Sequence, residues 1–370
     1  MKLHPRNRNQ RQIFIIKSRQ DMTLLTIAFL LSLFGLLMVY NASVVEAFRN
    51  FGDQYYFLKN QLVWAIGGWF TLFIFSLLDY HLLKKIGLPA LILNLFLLMI
   101  VLIPGVGNQI KGARRWLNLG IFSFQPTETL KTVLSIYLAY WLQSEQKALA
   151  FLILIGAIFG LVILQPDLGT AIVIIGSAFL LYYLSGGQVF KLFFLSLILA
   201  SLGIVLILIS PYRRARLKTF LDPTSDPLGN SYHIRQVLIS LGSGGISGVG
   251  LGQSRQKYQY LPEATTDSIF AVVGEETGFL GGAALIGAFA ILIQRGLTIA
   301  QQAKDRFGRL LAAGITSWLA IQVLVNLAAM VALLPLTGIP LPLISYGGSS
   351  LVVTLASIGI LLNISRYNNK

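Results

Sequence analysis

Residues 22–43 read MTLLTIAFLLSLFGLLMVYNAS and contain no charged side chain. An α-helix needs about 20 apolar residues to cross the hydrocarbon core of a bilayer, so this stretch predicts a transmembrane helix. Residues 1–20 before it are polar and basic, and the apolar run is too long for the core of a cleavable signal peptide. We therefore expect a cytoplasmic basic arm followed by a helix that is retained.

Apolar stretches of similar length recur along the 370 residues. The sequence is 55% hydrophobic and 12% charged, about half the charged fraction of a typical soluble domain. This composition predicts an all-α integral membrane protein with one membrane domain at 21–366 and a short tail at 367–370. About ten transmembrane helices are expected, at 22–43, 61–79, 88–104, 127–144, 148–165, 168–185, 189–210, 267–295, 309–334 and 346–365.

Cysteine and histidine usage excludes several functional classes. The chain has no cysteine, so disulfides and thiolate metal sites are absent, and its three histidines are scattered at 4, 81 and 233. The net charge of +15 is spread over the loops between apolar stretches. We therefore expect anionic membrane lipid, rather than nucleic acid, as the generic partner of these cations.

The distribution of lysine and arginine predicts the orientation. The basic arm and the 295–309 segment place cations on the side of the N-terminus, which indicates cytoplasmic termini. One large extracytoplasmic loop is then expected at about 211–266, between the seventh and eighth helices. It begins with a cationic cluster that suits phosphate, either of a substrate or of outer-leaflet headgroups. The cluster consists of Arg213, Arg214, Arg216 and Lys218.

Ionisable residues inside a membrane are costly and indicate function by default. Glu128 and Lys131 are spaced i,i+3 on one predicted helix, within reach of an ion pair that is either structural or part of a polar cavity wall. Asp167 follows a proline in a predicted tight turn, where capping is the simpler role. Asp267 begins the eighth predicted span, as a helix cap or as a catalytic carboxylate at the membrane surface.

Two irregular segments separate the later spans. The glycine-rich segment 241–252 lacks the Lys-Ser/Thr ending of a nucleotide-binding loop, so we expect a segment at the membrane surface whose amides can approach an anion. Three prolines in 335–350 prevent a continuous helix there. Its serines and paired glycines predict backbone that lines a cavity rather than faces lipid.

Motifs in a fixed order along the chain resemble the SEDS family of peptidoglycan glycosyltransferases. The run Gly-Leu-Gly-Gln-Ser-Arg-Gln-Lys at 250–257 and the pair Arg114-Arg115 are similar to the family's division branch rather than its elongation branch. The sequence departs from the family pattern at Asn41, Ser268, Thr277 and Ala332, where Ser, Phe, Leu and Gly are usual. Further matching segments are 112–116, 125–131, 165–170, 226–236, 260–267, 274–276 and 340–350.

The resemblance implies a ten-helix fold and lipid II, the undecaprenyl-pyrophosphoryl disaccharide-pentapeptide, as substrate. Lipid II would be polymerised at the outer face of the bacterial cytoplasmic membrane, at the division septum, with inversion and release of undecaprenyl pyrophosphate. Asp267 matches the family's essential acidic residue, as a base or as ligand of a divalent metal (Mg²⁺ or Mn²⁺), and Glu128 with Lys131 matches its buried ion pair. A class B penicillin-binding protein transpeptidase and other division proteins are the implied partners.

We accordingly expect several cations and hydroxyls to bind the pyrophosphate or sugars, and a few further polar groups to lie near the site. A lipid II flippase, with its essential residues nearer the membrane midplane, and a non-enzymatic division scaffold are the alternatives. The expected ligands are Arg213, Arg214, Arg216, Lys218, Arg255, Lys257, Arg114, Arg115, Ser345 and Ser349, and the further polar residues are Asp167, Glu263 and His233.

Overall fold

The computed structural model describes residues 20–188, 211–222, 229 and 231–367, with gaps at 111–112, 119, 121–122, 145–146 and 259 and scattered positions between 190 and 209. Most of the predicted seventh span, 189–210, and most of the arm and tail lie outside the described residues. Eleven helices and three strands have defined bounds. The helices before residue 200 are α1 (Met22–Phe51), α2 (Tyr56–Leu77), α3 (His81–Val101), α4 (Pro126–Trp141), α5 (Ala148–Leu164) and α6 (Leu168–Leu184).

The second half of the described chain adds five helices. Two of them, α7 (Pro211–Leu221) and α8 (Tyr232–Ser243), lie within the predicted extracytoplasmic connection 211–266, which therefore contains helical segments. The helix starts follow ordinary capping chemistry, since the Asp21 and Asp305 carboxylates accept the amides of Leu24 and Gly308. The remaining helices are α9 (Ile269–Gln302), α10 (Arg306–Met330) and α11 (Gly348–Tyr367).

Six of these helices are long and apolar enough to cross a membrane: α1, α2, α3, α9, α10 and α11. The helices α5 and α6 are apolar but only 17 residues long, and α4 has 16. At a rise of about 1.5 Å per residue they extend about 25 Å, somewhat less than the hydrocarbon thickness of about 30 Å. The described part therefore contains six clear membrane spans of the ten predicted.

A small sheet interrupts the otherwise helical architecture between α3 and α4. Strands β1 (Gly107–Ile110), β2 (Ala113–Asn118) and β3 (Ser123–Phe124) form a small antiparallel sheet in the order β1-β2-β3. The physical reason is that this connection carries polar backbone beside the membrane, and strand pairing satisfies its N–H and C=O groups.

The two ends of the bundle differ in what they contain. The Asp21 amide donates to Ser365 Oγ at 3.1 Å, and the Arg295 guanidinium contacts the Asp21 carboxylate at 2.5 Å. The start of α1 therefore lies beside the ends of α9 and α11. Asp267 immediately precedes α9 and so lies toward the opposite end. The helices α10 and α11 form the centre. In the most apolar stretch of each, 78% of the residues are buried, against 28% in α2 and α3.

Candidate functional site

A cavity of about 420 Å³ lies at the end of the bundle that contains Asp267. Its walls come from β2, the start of α4, the α5–α6 turn, α7, the segment before α9 and the segment between α10 and α11. Six of the predicted site residues meet there although they are far apart in sequence. They are Arg115, Glu128, Asp167, Arg216, Glu263 and Asp267.

The backbone around Asp267 is held by three successive carbonyl contacts. Asp267 itself is 7% exposed. Because each carbonyl of this short segment has its own donor, the backbone that carries the Asp267 side chain is held in place. The donors are the Tyr346 amide to Thr265 O at 2.9 Å, Ser345 Oγ to Thr266 O at 2.5 Å, and Asn326 Nδ2 to Asp267 O at 2.9 Å.

The N-cap position of α9 is occupied by the neighbour of Asp267, whose side chain makes no capping hydrogen bond. Ser268 is the N-cap residue of α9, and the Asp267 carboxylate lines the cavity. Thr266 Oγ1 lies 2.9 Å from Glu263 Oε2 and 3.4 Å from Asp267 Oδ1, so one hydroxyl links the two carboxylates. Glu263 has φ of 53°, a left-handed conformation that is unfavourable for a non-glycine residue.

Glu128 and Lys131 form an ion pair at 2.9 Å on the first turns of α4. Lys131 is 2% exposed and also contacts Gln322 Oε1 at 2.6 Å and the Trp318 ring, with Nζ 4.9 Å from its centroid. The pair therefore ties α4 to α10. Glu128 is also part of the cavity wall, whereas Lys131 is not among the lining residues.

Arg115 connects the sheet to the α5–α6 turn. Its Nε donates to Gln165 O at 3.0 Å, another guanidinium nitrogen donates to Pro166 O, and Nη1 lies 3.8 Å from the Asp167 carboxylate. Asp167 caps α6 by accepting the Thr170 amide at 3.1 Å. Arg115 thus brings a guanidinium to the cavity wall, and Asp167 combines the predicted cap with a place in the same wall.

Only one residue of the cationic cluster on α7 has a described place in the cavity. Arg216 lines it and donates from Nη1 to Leu336 O at 2.6 Å, whereas Arg214 and Lys218 are exposed outside the cavity. The Arg213 side chain lies outside the described residues. Arg114 also lies outside the lining.

Lys257 lies elsewhere, in what we call the loop cluster: Asn41, Ser254, Lys257, Glu275 and Glu276. Arg255 is exposed beside this cluster. Lys257 Nζ contacts Glu276 Oε1 at 3.4 Å and Asn41 Oδ1 at 2.8 Å. The amides that approach carboxylates lie just after the glycine-rich segment 241–252, and these carboxylates are the chain's own. Ser254 N donates to Glu276 at 3.2 Å and Arg255 N to Glu275 at 3.0 Å.

The remaining predicted residues lie beside the cavity. Ser345 holds the Thr266 carbonyl, and Ser349 Oγ donates to Ser123 O at 3.2 Å, so both act on neighbouring backbone. His233 lines a smaller adjoining cavity. Sequence reasoning missed Gln322 and Asn326. Both are polar residues within an apolar predicted span, and polar residues inside a membrane are a signal of function that could have identified them.

The residues of the cavity fit a divalent metal only in part. Within the described residues, no three His, Cys, Asp or Glu side chains lie close enough together to hold a metal ion. Mg²⁺ in phosphate-processing sites is commonly held by one or two carboxylates together with substrate phosphates. Asp267 is the carboxylate that the sequence predicts for this role, and a bound diphosphate would have to complete the coordination.

The fold and the cavity together define a class of protein: a polytopic membrane protein with a carboxylate- and arginine-lined cavity at the end of its bundle opposite the start of α1. The model of the cell cycle protein family FtsW/RodA/SpoVE matches residues 21–370. The chain therefore belongs to this family.

Curated relatives and solved structures cover nearly the whole chain. Stage V sporulation protein E of Bacillus subtilis is 42% identical, over 95% of this chain and 98% of its own length. A protein of Trichlorobacter lovleyi named "Probable peptidoglycan glycosyltransferase FtsW" is 41% identical, over 93% of each chain.

Two solved structures show the same fold. A chain of the structure described as "Structural coordination of polymerization and crosslinking by a peptidoglycan synthase complex" matches with a TM-score of 0.77 and 30% identity, over 94% of this chain and 98% of that chain. The rod shape determining protein RodA of Thermus thermophilus matches with a TM-score of 0.69 and 28% identity, over 95% and 98%.

Proposed function

We propose that this membrane protein is a peptidoglycan glycosyltransferase that polymerises lipid II at the outer face of the bacterial cytoplasmic membrane. The observation that carries the proposal is the position of Asp267, held by its backbone in the wall of a cavity that also contains Arg115 and Arg216. A carboxylate beside guanidinium groups suits a reaction that removes a proton and releases a pyrophosphate.

The proposed reaction joins two lipid-linked molecules. The 4-hydroxyl of GlcNAc on the acceptor lipid II attacks C1 of the MurNAc at the reducing end of the growing chain. The bond from C1 to the pyrophosphate oxygen breaks, the anomeric centre inverts and undecaprenyl pyrophosphate leaves. Asp267 accepts the hydroxyl proton, and cationic side chains stabilise the charge that grows on the leaving group. A divalent metal held by Asp267 and the diphosphate would supply further positive charge.

We also propose ten transmembrane helices with both termini in the cytoplasm and the 211–266 segment outside. The proximity of Asp21 to Ser365 supports a common side for the termini. The chain is more similar to the division and sporulation relatives, at 41% and 42% identity, than to RodA at 28%. We therefore propose a role at the division septum, with a class B penicillin-binding protein as the transpeptidase partner.

The test is polymerisation of purified lipid II by the protein reconstituted with its partner, with and without Mg²⁺ or Mn²⁺. We expect Asp267→Asn to lower the rate by at least about a hundred-fold, the scale of a general base, while the melting temperature stays unchanged. Asp53→Asn is the matched control, because this exposed carboxylate lies outside the cavity and pairs with Lys59.

Normal polymerisation by Asp267→Asn would overturn the catalytic assignment. If the wild-type protein makes no glycan but moves lipid II across liposome membranes, the flippase alternative replaces the proposal. Absence of both activities, with the partner still recruited, would favour a scaffold.

A further inference from the structure

A second cavity of about 170 Å³ adjoins the first and shares part of its wall. Arg216 and residues 334–336 line both cavities, so the Arg216 guanidinium lies at their boundary. The other polar groups of the smaller cavity are Thr219 and His233, and its apolar walls include Phe220 and Ile234. The cavity thus combines a cation, a hydroxyl and an imidazole with hydrocarbon surfaces.

The helix α7 sorts its polar residues by face. Arg216 and Thr219, spaced i,i+3, point into the smaller cavity, whereas Arg214 and Lys218, spaced i,i+4, are exposed. The Arg216 side chain is oriented by its hydrogen bond to Leu336 O. An oriented guanidinium beside a hydroxyl is a favourable arrangement for phosphate oxygens.

The smaller cavity is also next to the proposed catalytic carboxylate. His233 Nε2 lies 2.7 Å from Ser268 Oγ, and Ser268 directly follows Asp267. This proximity distinguishes the two substrates of the proposed reaction. In the donor the diphosphate is bonded directly to the reacting C1, whereas in the acceptor a disaccharide separates the diphosphate from the reacting hydroxyl. A diphosphate site beside Asp267 therefore suits the donor.

We propose that the smaller cavity binds the diphosphate of the donor substrate, an isoprenoid-linked diphosphate, through Arg216, Thr219 and His233. The larger cavity then receives the acceptor sugar at Asp267, with Arg115 in the same wall. Phe220, Ile234 and the apolar residues 334–336 contact the first part of the isoprenoid chain. This inference rests on the proposed function and adds the location of the leaving group.

The test measures binding of farnesyl diphosphate, a short isoprenoid diphosphate that carries no sugar and so cannot react, to the full-length protein in lipid nanodiscs. We expect the double variant Thr219→Val/His233→Gln to weaken binding at least about ten-fold, the scale of one hydrogen bond to a charged group. The glutamine side chain retains hydrogen-bonding capacity toward Ser268. Lys218→Ala, next to Thr219 but on the exposed face of α7, is the matched control and should leave the affinity unchanged.

Three results would overturn the inference: unchanged affinity in the double variant, an equal loss in Lys218→Ala, or equal displacement of the probe by phosphatidylglycerol, which would identify a headgroup site. Melting curves verify folding, and the isosteric Thr219→Val alone replaces the double variant if that variant unfolds. Glycan synthesis by the wild-type protein is measured separately. Its absence contradicts the proposed function, whereas synthesis with unchanged diphosphate affinity contradicts only this inference.

Discussion

The protein buries carboxylates in two places, and the two places are organised differently. In the loop cluster, Glu275 and Glu276 are 2% and 1% exposed, and the hydrogen bonds to them come from the chain itself. At the larger cavity, Glu128, Asp167 and Asp267 are also largely buried, but each forms part of a cavity wall. The loop cluster is closed around its charges, and the cavity leaves space beside them.

Backbone conformation separates the same two regions. In the glycine-rich segment the left-handed conformations fall on glycines, such as Gly248 and Gly250 with φ of 81° and 107°, where they cost little. In the segments that build the cavity, Glu263, Ala332 and Leu343 adopt φ of 53°, 58° and 65°. Such non-glycine conformations are unfavourable and concentrate at functional sites. We therefore expect the loop cluster to contribute to stability, and the cavity is where we propose that the substrate binds.

The largest stability effect is expected in the loop cluster. Lys257→Met removes the lysine that pairs with Glu276 and should lower the free energy of unfolding by about 3–5 kcal/mol, because a buried carboxylate loses its partner. Thermal unfolding in detergent measures this loss.

The double variant Lys257→Met/Glu276→Gln is the control for this prediction. Removal of both charges should recover much of the stability, as a double-mutant cycle would show. Additive losses in the double variant would contradict the assignment of a coupled, closed ion pair.

A smaller loss is expected for the equivalent change at the cavity. Lys131→Met also leaves a carboxylate without its lysine, but Glu128 lines a cavity that water can enter, so we expect about 2 kcal/mol. The same melting experiment compares the two lysine variants directly. A loss as large as that of Lys257→Met would show that the two clusters are equally closed and would remove the contrast between them.

The two clusters also differ in how far the sequence could predict them. The Glu128–Lys131 pair follows from helical spacing, because residues three apart share a helix face. The contact between Lys257 and Glu276 joins a loop to a helix, and the Asn326 bond to the Asp267 carbonyl spans 59 residues. Such contacts depend on tertiary packing, which has no local periodicity. Apolar runs similarly predicted the long helices, whereas the sheet and the helices of 211–266 arise within polar connections.

The smallest effect tests whether the cavity side holds avoidable backbone strain. Ala332 follows α10, two residues before the cavity-lining Leu334, and stands where the SEDS pattern has glycine. The left-handed conformation costs an alanine about 1–2 kcal/mol, while glycine loses about 0.4–1 kcal/mol of chain entropy on folding.

Ala332→Gly should therefore raise stability by about 0.5–1 kcal/mol. The same change at Ala328, inside α10, should lower it by about 1 kcal/mol, since glycine is a poor helix former and the conformation there is helical. The measurement is the melting temperature of both variants beside their rates of lipid II polymerisation. If Ala332→Gly is more stable and its rate is unchanged, the backbone strain at this position does not affect the reaction. If the variant is more stable but its rate is reduced, the left-handed turn helps to shape the substrate site. A less stable Ala332→Gly would show that the packing contacts of the alanine stabilise the protein by more than its left-handed conformation costs. The contrast in backbone strain between the cavity and the loop cluster would then not hold at this position.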